Sequence, residues 1–160
     1  MTEIRYRPIG VIRSPFKDVE GMPIQAAAAA GVAGTVELKP EFAGGLKDVE
    51  GFSHLILIYH FHRVEGYSLE VKPFLDDVLR GVFATRAPRR PNPIGISVIR
   101  LVQVEGRVLH IEGVDILDGT PLLDIKPYVP EFDTVAAERT SWLAGKAGRV
   151  RGMRADGRFK

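Results

Sequence analysis

The sequence predicts a mainly β protein: a small, single-domain, barrel-like sheet with short helical segments. Three observations predict it. Six or seven short stretches of β-forming residues are separated by turn signals about every 8–15 residues. The helices that alternate with strands in doubly wound folds are missing, which argues against a Rossmann architecture. The 160 residues, 45% hydrophobic, suffice for one buried core and are short for two.

Ile4–Ser14 is the first strand candidate, because Ile4, Tyr6 and Ile12 favour extended backbone and Pro15 breaks the run. The alanines Ala26–Ala30 favour helix, but Gly31 and Gly34 hold it to a turn or two. Thr35–Lys39 is a short strand ahead of Pro40, and Pro40–Gly51 reads as a helical turn plus loop. Phe52–His62 (FSHLILIYHFH) is apolar on both strand faces, which predicts a central strand buried on both sides. Leu69–Phe74 and Gly81–Thr85 are further strands, with Pro93 closing the loop that follows. Ile96–Val104 and Arg107–Ile116 flank Glu105-Gly106 as a hairpin. Leu122–Val129 is the last strand, with Leu123, Ile125, Pro127 and Val129 on one face and Asp124, Lys126 and Tyr128 on the other. Thr134–Leu143 is the best helix candidate. A domain over 1–144 followed by a basic tail over 145–160 is expected.

Composition excludes several chemistries. With no cysteine there is no disulfide framework, thiolate zinc site, iron–sulfur cluster or cysteine nucleophile. No G-x-G-x-x-G, G-x-x-x-x-G-K-[ST] or G-x-S-x-G occurs, which argues against dinucleotide binding on a Rossmann turn, P-loop chemistry and an α/β-hydrolase triad. The first residues, MTEIRYRPIG, lack the layout of a secretory signal, and no apolar run could span a bilayer. A soluble, cytoplasmic protein with no membrane partner is expected. The formal charge of +2 is unevenly spread: residues 145–160 carry Lys146, Arg149, Arg151, Arg154, Arg158 and Lys160 against Asp156. A basic tail on a mildly acidic body fits a polyanion, as well as a plain solvated terminus.

Four polar clusters are candidates for chemistry. Arg13-Ser14-Pro15-Phe16 and Gly21-Met22-Pro23-Ile24-Gln25 form a strand exit and rigid loop able to present backbone amides, or a plain surface loop. His54, His60 and His62 share one parity, so His60 and His62 could meet a metal, but no nearby acid completes the set and no metal is expected. In Thr85–Gly95 (TRAPRRPNPIG) the prolines stiffen the backbone that carries Arg86, Arg89 and Arg90, which suits an anion or RNA. Asp118-Gly119-Thr120-Pro121 is a hairpin-like turn, followed by the acid, ammonium and phenol row of Asp124, Lys126 and Tyr128.

These residues carry a resemblance. GVIRSPF, GMPIQ, GFSHLILIYHFHR, GVFATRAPRRPNPIG and DGTPLLDIKPYVP, in order from Ile9 to Pro130, closely resemble the TrmO-type tRNA methyltransferases. The resemblance implies a compact β-barrel that acts as a homodimer. It implies methyl transfer from S-adenosylmethionine to N6 of threonylcarbamoyladenosine beside the tRNA anticodon. Cofactor contacts are implied at Pro23, Ile24 and Gln25, at His62 and Arg63, at Arg86, near Val98, and at Asp118, Gly119, Thr120 and Pro121. Ile24 stands where many relatives carry a basic residue, and Arg63 where many carry an amide. Many bacterial relatives also have a further C-terminal domain, whereas thirty residues follow Pro130 here, so the tail is expected to replace it or tRNA recognition to differ.

The target nitrogen shares its lone pair with the purine and the carbamoyl group, so its proton must leave as it attacks, and a nearby base helps. Asp124 and Tyr128 are the expected catalytic residues, with Asp118 a further candidate. Arg89, Arg90, Arg149 and Arg151 are expected to hold tRNA phosphates. The alternatives are a non-enzymatic S-adenosylmethionine- or RNA-binding module and a methyltransferase acting on another small molecule or RNA.

Overall fold

Along 54–60, Leu55, Leu57 and Tyr59 are buried while His54, Ile56, Ile58 and His60 stay half-covered, the period-two signature of a strand with one interior face. The computed structural model describes residues 2–20, 22, 29–74 and 76–146. In it, six antiparallel strands close into a barrel. They are β1 (Gly10–Arg13), β2 (Ala33–Leu38), β3 (His54–His60), β6 (Ile94–Glu105), β7 (Val108–Glu112) and β8 (Thr120–Pro127). The order around the barrel is β1-β2-β7-β6-β3-β8, and β8 pairs back onto β1. Beside it, β4 (Glu70–Val71) and β5 (Arg80–Gly81) form a separate two-stranded ladder. The interior is filled by Ile12, Val36, Leu57, Ile99, Leu109, Ile111 and Leu122 among others, with Val114 and Ile116 closing it from the connection after β7.

Most of the expected strands form, with shorter bounds. The Pro40–Gly51 stretch becomes two 3-10 turns, Pro40–Leu46 and Val49–Gly51, as its composition suggested. The β6–β7 hairpin turns at Gly106, whose φ of 61° suits glycine. Leu69–Phe74 and Gly81–Thr85 shrink to the two-residue rungs of β4 and β5, and Val82–Ala84 is a 3-10 turn. Val71, Val82, Ala87 and Phe74 make a small satellite core there.

Five expectations are corrected. Residues 2–9 are not strand: Ile4 and Tyr6 are exposed, and Pro8 has no N–H to give a ladder. β3 is buried on one face only, because a closed barrel offers each strand a single interior. In β8 a bulge sets Leu122 opposite Tyr59 and Asp124 opposite Ile58. Leu122 and Ile125 therefore share the inner face, and Leu123 does not. Asp118-Gly119 is a turn (Thr120 N donates to Leu117 O, 3.3 Å) but no hairpin, since β7 and β8 are not neighbours. Thr134–Leu143 is not a helix: residues 131–140 are exposed throughout, and propensity without a buried face does not hold so short a helix. The chain instead makes one turn, α1 (Pro130–Asp133), and a 3-10 turn at Ser141–Leu143. Of the alanine run, Ala26–Ala28 lie outside the described residues.

Among the described residues no helix is long and apolar enough to cross a membrane.

Candidate functional site

The inward side chains of β6 shrink toward its start: Leu101, Ile99, Ser97, then Gly95. The taper opens the barrel at that end. Across the ladder Gly95 faces Tyr59, and any Cβ at 95 would collide with the Tyr59 ring and lie 2.7 Å from the tip of Phe61. The Tyr59 and Phe61 rings meet edge-on at 5.6 Å.

A cavity of about 700 Å³ occupies this open end. Tyr59, Phe61, His62 and Arg63 wall it from the end of β3 and beyond. Arg86, Ala87 and Arg90 come from the proline-rich loop, Asp115 and Leu117 from the connection between β7 and β8, and Thr120 from the start of β8. Phe83 and Trp142 add aromatic faces at the rim, where Trp142 Nε1 donates to Ala84 O at 2.7 Å and pins the Ser141–Leu143 turn there.

The loop that carries the arginines is braced from within. Thr85 Oγ1 donates to Val82 O (2.8 Å) and accepts from Ala87 N (3.2 Å). Arg90 donates to Thr85 O and Ala87 O, both at 3.0 Å, so part of its guanidinium holds its own loop.

At the cavity floor three polar groups form a chain. Tyr59 OH lies 2.8 Å from Ser97 Oγ, and Ser97 Oγ donates to Asp115 Oδ1 at 2.6 Å. Desolvation pushes the Asp115 carboxyl up to about 6, while Ser97, Asp115's own backbone amide and the Arg86 charge pull the other way. Burial, then the Asp115 charge, holds the Tyr59 phenol far above its ordinary value, so it stays protonated. Having one proton, Ser97 gives it to the carboxylate and accepts from Tyr59. The His62 imidazole is held below its ordinary value by desolvation and by its Arg63 and His60 neighbours.

Asp118 works as a clamp. Ser14 N donates to Asp118 Oδ1 (3.0 Å), Lys17 Nζ to Oδ2 (2.8 Å), and Asp118 N to Phe16 O (2.7 Å). The Lys17 hydrogen bond is the main cause holding its carboxyl below the usual range. With Ser14 Oγ donating to Ile116 O, it laces the exit of β1 to the cavity wall.

Of the residues singled out in the sequence, His62, Arg63, Arg86, Arg90 and Thr120 line the cavity, with Asp118 and Gly119 just before Thr120 in the connection and Pro121 just after it in β8. Arg89 is half-buried in the proline loop. Pro23, Ile24, Gln25, Arg149 and Arg151 lie outside the described residues, although Met22 lines the cavity. Val98, Asp124 and Tyr128 do not line it. They share the outer sheet face, where Ile96, Ile58 and Asp124 form one cross-strand row and Val98, Ile56 and Lys126 the next. Asp124 pairs with Lys126 at 2.8 Å. Tyr128 OH lies 3.3 Å from Thr134 Oγ1, with its ring edge-on to His54. His54 and His60 are on that outer side as well, and among the described residues no three His, Asp or Glu gather as metal ligands. Sequence reasoning missed Tyr59, Phe83, Ser97, Asp115 and Trp142. Only register could have found the first and third, because they meet across a ladder 38 residues apart in the chain.

The family described as tRNA-methyltransferase O N-terminal domain matches residues 11–134. The chain is 60% identical over 156 residues to a probable S-adenosyl-L-methionine-binding protein of Pyrococcus abyssi, covering 98% of this chain and 85% of that one. It is 35% identical over 136 residues to the human tRNA (adenine(37)-N6)-methyltransferase, covering 79% of this chain and 30% of that one. A crystal structure of TrmO from Pseudomonas aeruginosa superposes with a TM-score of 0.74 at 43% identity, covering 89% of this chain and 63% of that one. The chain thus spans under two thirds of that solved relative.

Proposed function

Because the chain belongs to the tRNA-methyltransferase O N-terminal domain family, we propose that it methylates N6 of threonylcarbamoyladenosine beside the tRNA anticodon, using S-adenosylmethionine. The observation that carries this reading is the cavity of about 700 Å³ at the open barrel end. Its size is in the range of small-molecule sites, about 300–1,000 Å³.

The residues present fit the co-substrate. Phe61, Phe83, Leu117 and Trp142 offer aromatic and apolar faces to an adenine and a sulfonium-bearing chain, and Arg63 and Arg86 offer charge to a carboxylate. Pro23, Ile24, Gln25, His62, Arg63, Arg86 and Asp118 to Pro121 are assigned to holding it. When bound, S-adenosylmethionine supplies an electrophilic methyl group. The protein aligns the nucleoside with it, and that alignment supplies much of the rate.

The chain divides into a barrel domain, 1–144, and a basic tail, 145–160. The tail, with Arg89 and Arg90, holds tRNA phosphates. The protein acts in the cytoplasm as a homodimer. Ile96, Val98 and Val102 are exposed along the outer side of β6, next to half-covered Ile56 and Ile58 on β3. The patch of Ile96, Val98, Ile56 and Ile58, bounded by Arg100, Asp124 and Lys126, is of the kind that marks an association surface. A second copy fits it because Ile94 and Ile96 belong to both this face and the cavity rim, so docking there completes the site. Across that interface Val98 contacts the partner's co-substrate, and Asp124 and Tyr128 serve the partner's nucleoside.

The test is nucleoside mass spectrometry after incubation with S-adenosylmethionine and bulk tRNA, in parallel with tRNA lacking threonylcarbamoyl. A one-methyl gain on threonylcarbamoyladenosine, in the first sample alone, supports the reading. Cofactor binding with no product in either favours the binding module, the description carried by the Pyrococcus abyssi relative.

A further inference from the structure

We infer that Asp115 is the group that accepts the proton leaving the target nitrogen, held in place for that task by Ser97 and Tyr59. The inference rests on the methyl-transfer reading above. Among the described residues lining the cavity, Asp115 is the sole carboxylate. Its nearest rivals are engaged elsewhere: Asp118 binds Ser14 and Lys17 with its two oxygens, and Asp124 pairs with Lys126 on the outer wall.

Proton transfer needs an acceptor whose orientation is fixed before the substrate arrives. Here orientation is fixed twice over. Ser97 Oγ donates to Asp115 Oδ1 at 2.6 Å, and Tyr59 OH backs Ser97 at 2.8 Å. Both donors stand on adjacent barrel strands, β3 and β6, so Asp115, itself in the connection after β7, is held from the ladder. Opposite Gly95, the Tyr59 ring occupies the space that a side chain at 95 would need, and its hydroxyl reaches Ser97.

As the N6–methyl bond forms, the methyl–sulfur bond breaks and its electron pair returns to sulfur. The N6–H bond breaks, and its proton passes to the Asp115 carboxylate. The cationic product of attack is thereby avoided. A protonated phenol cannot take this proton, which excludes Tyr59 as the base. Tyr59 on β3 and Arg86 on the proline loop act on Asp115 directly, and His62, Arg63 and Arg90 are the other charged or titratable groups that line the same cavity among the described residues. The cationic Arg86 favours the ionised carboxylate against desolvation.

The experiment measures two things on the full chain: S-adenosylmethionine binding by calorimetry, and the pH dependence of methylation of threonylcarbamoylated tRNA. Asp115→Asn keeps the side chain's volume and an acceptor for Ser97. It should bind the co-substrate as the wild type does and lose about 10²–10⁴-fold in turnover. Wild-type turnover should fall as pH drops below about 6, the value at which the carboxyl protonates, and this limb should be absent from the residual activity of Asp115→Asn. Ser97→Ala removes the donor that favours the carboxylate, so it should move the acid limb to higher pH, and it keeps the test alive if Asp115→Asn does not fold. Carboxyl-carbon NMR of the ligand-free protein should show the same displacement without any turnover.

Asp115→Asn that loses co-substrate affinity but retains turnover at saturation would overturn the inference, making Asp115 a binding residue. Survival of the limb in Asp115→Asn, with its loss in His62→Asn, would move the role to His62. A wild type that binds co-substrate and yields no methylated nucleoside overturns the parent reading, and the inference falls with it.

Discussion

Gly95 stands directly opposite Tyr59 in the β3–β6 ladder, and the missing side chain at 95 is what lets the Tyr59 ring lie across the strand and its hydroxyl reach Ser97 at 2.8 Å. One glycine thereby opens the barrel end and sets the polar chain that leads to Asp115. The RPNPIG segment, read from sequence as a stiff loop for arginines, is equally the segment that makes room for the site.

Gly95→Ala should therefore disturb both fold and site. Its Cβ meets two ring carbons of buried Tyr59 and the tip of the Phe61 ring packed edge-on against it. We expect a loss of about 1–3 kcal/mol in stability, the usual cost of overpacking, together with weaker S-adenosylmethionine binding. Denaturant unfolding and calorimetry check the two effects. Unchanged binding would mean that the ring position does not shape the cavity.

Asp115 should also mark the stability of the protein against pH. Its folded value, about 6, lies above the unfolded reference of 3.8. A group raised in this way contributes stability below the unfolded value and loses it as pH rises through the folded one. Asp115→Asn removes the charge, so its stability relative to wild type should improve between pH 4 and pH 7, by on the order of 2 kcal/mol. Asp76 and Asp118, held low by Arg80 and Lys17, act in the opposite sense but cancel in the comparison. Parallel unfolding curves of the two proteins across this range would contradict the assignment.

Asp118→Ala should lower co-substrate affinity about tenfold, the scale of losing charge-assisted hydrogen bonds. The cause is loss of the lacing between Ser14, Lys17 and the Thr120 turn, since Asp118 does not itself line the cavity. Calorimetry decides it, and unaltered affinity would leave Asp118 a surface clamp.

Much of the architecture was legible, and the parts that were not share a cause. The apolar run of Phe52–His62 placed β3, though not its single buried face, and the β-forming stretches on either side of Glu105-Gly106 placed β6 and β7; the Gly106 turn was readable because only its backbone freedom matters there. The bulge in β8 was not, because an inserted residue shifts the inner face from Leu123 to Leu122 without altering composition. The helix expected over Thr134–Leu143 failed because propensity is local while burial is not. The site divides in the same way. His62, Arg63, Arg86 and Thr120 stand in recognisable motifs. Ser97, Tyr59 and Asp115 come together only through strand register and a seven-residue connection, 113–119, between strands that are not neighbours.

Removal of residues 145–160 should weaken tRNA binding and reduce its dependence on salt, because six basic side chains leave with them. Filter binding across a salt series gives both quantities. Equal affinity and equal slope would assign tRNA recognition to the barrel alone.

Under the proposed pairing, the wild type should sediment as a dimer and Ile96→Lys as a monomer, because the variant places an ammonium in the apolar outer face. The outer wall then has a decisive test. A mixed dimer of Asp115→Asn and Tyr128→Phe chains regains activity if Tyr128 serves the partner's cavity, because one intact site is assembled. No recovery would confine Tyr128 to its own chain, where it bonds Thr134.

The most direct measurement of the central claim is methyl transfer from a deuterium-labelled donor, followed by fragmentation of the recovered nucleoside. The account predicts the labelled methyl on the base fragment at N6 of threonylcarbamoyladenosine in the wild type, and about 10²–10⁴-fold slower labelling of the same atom in Asp115→Asn. Label on another nucleoside, or on another atom of this one, would contradict it.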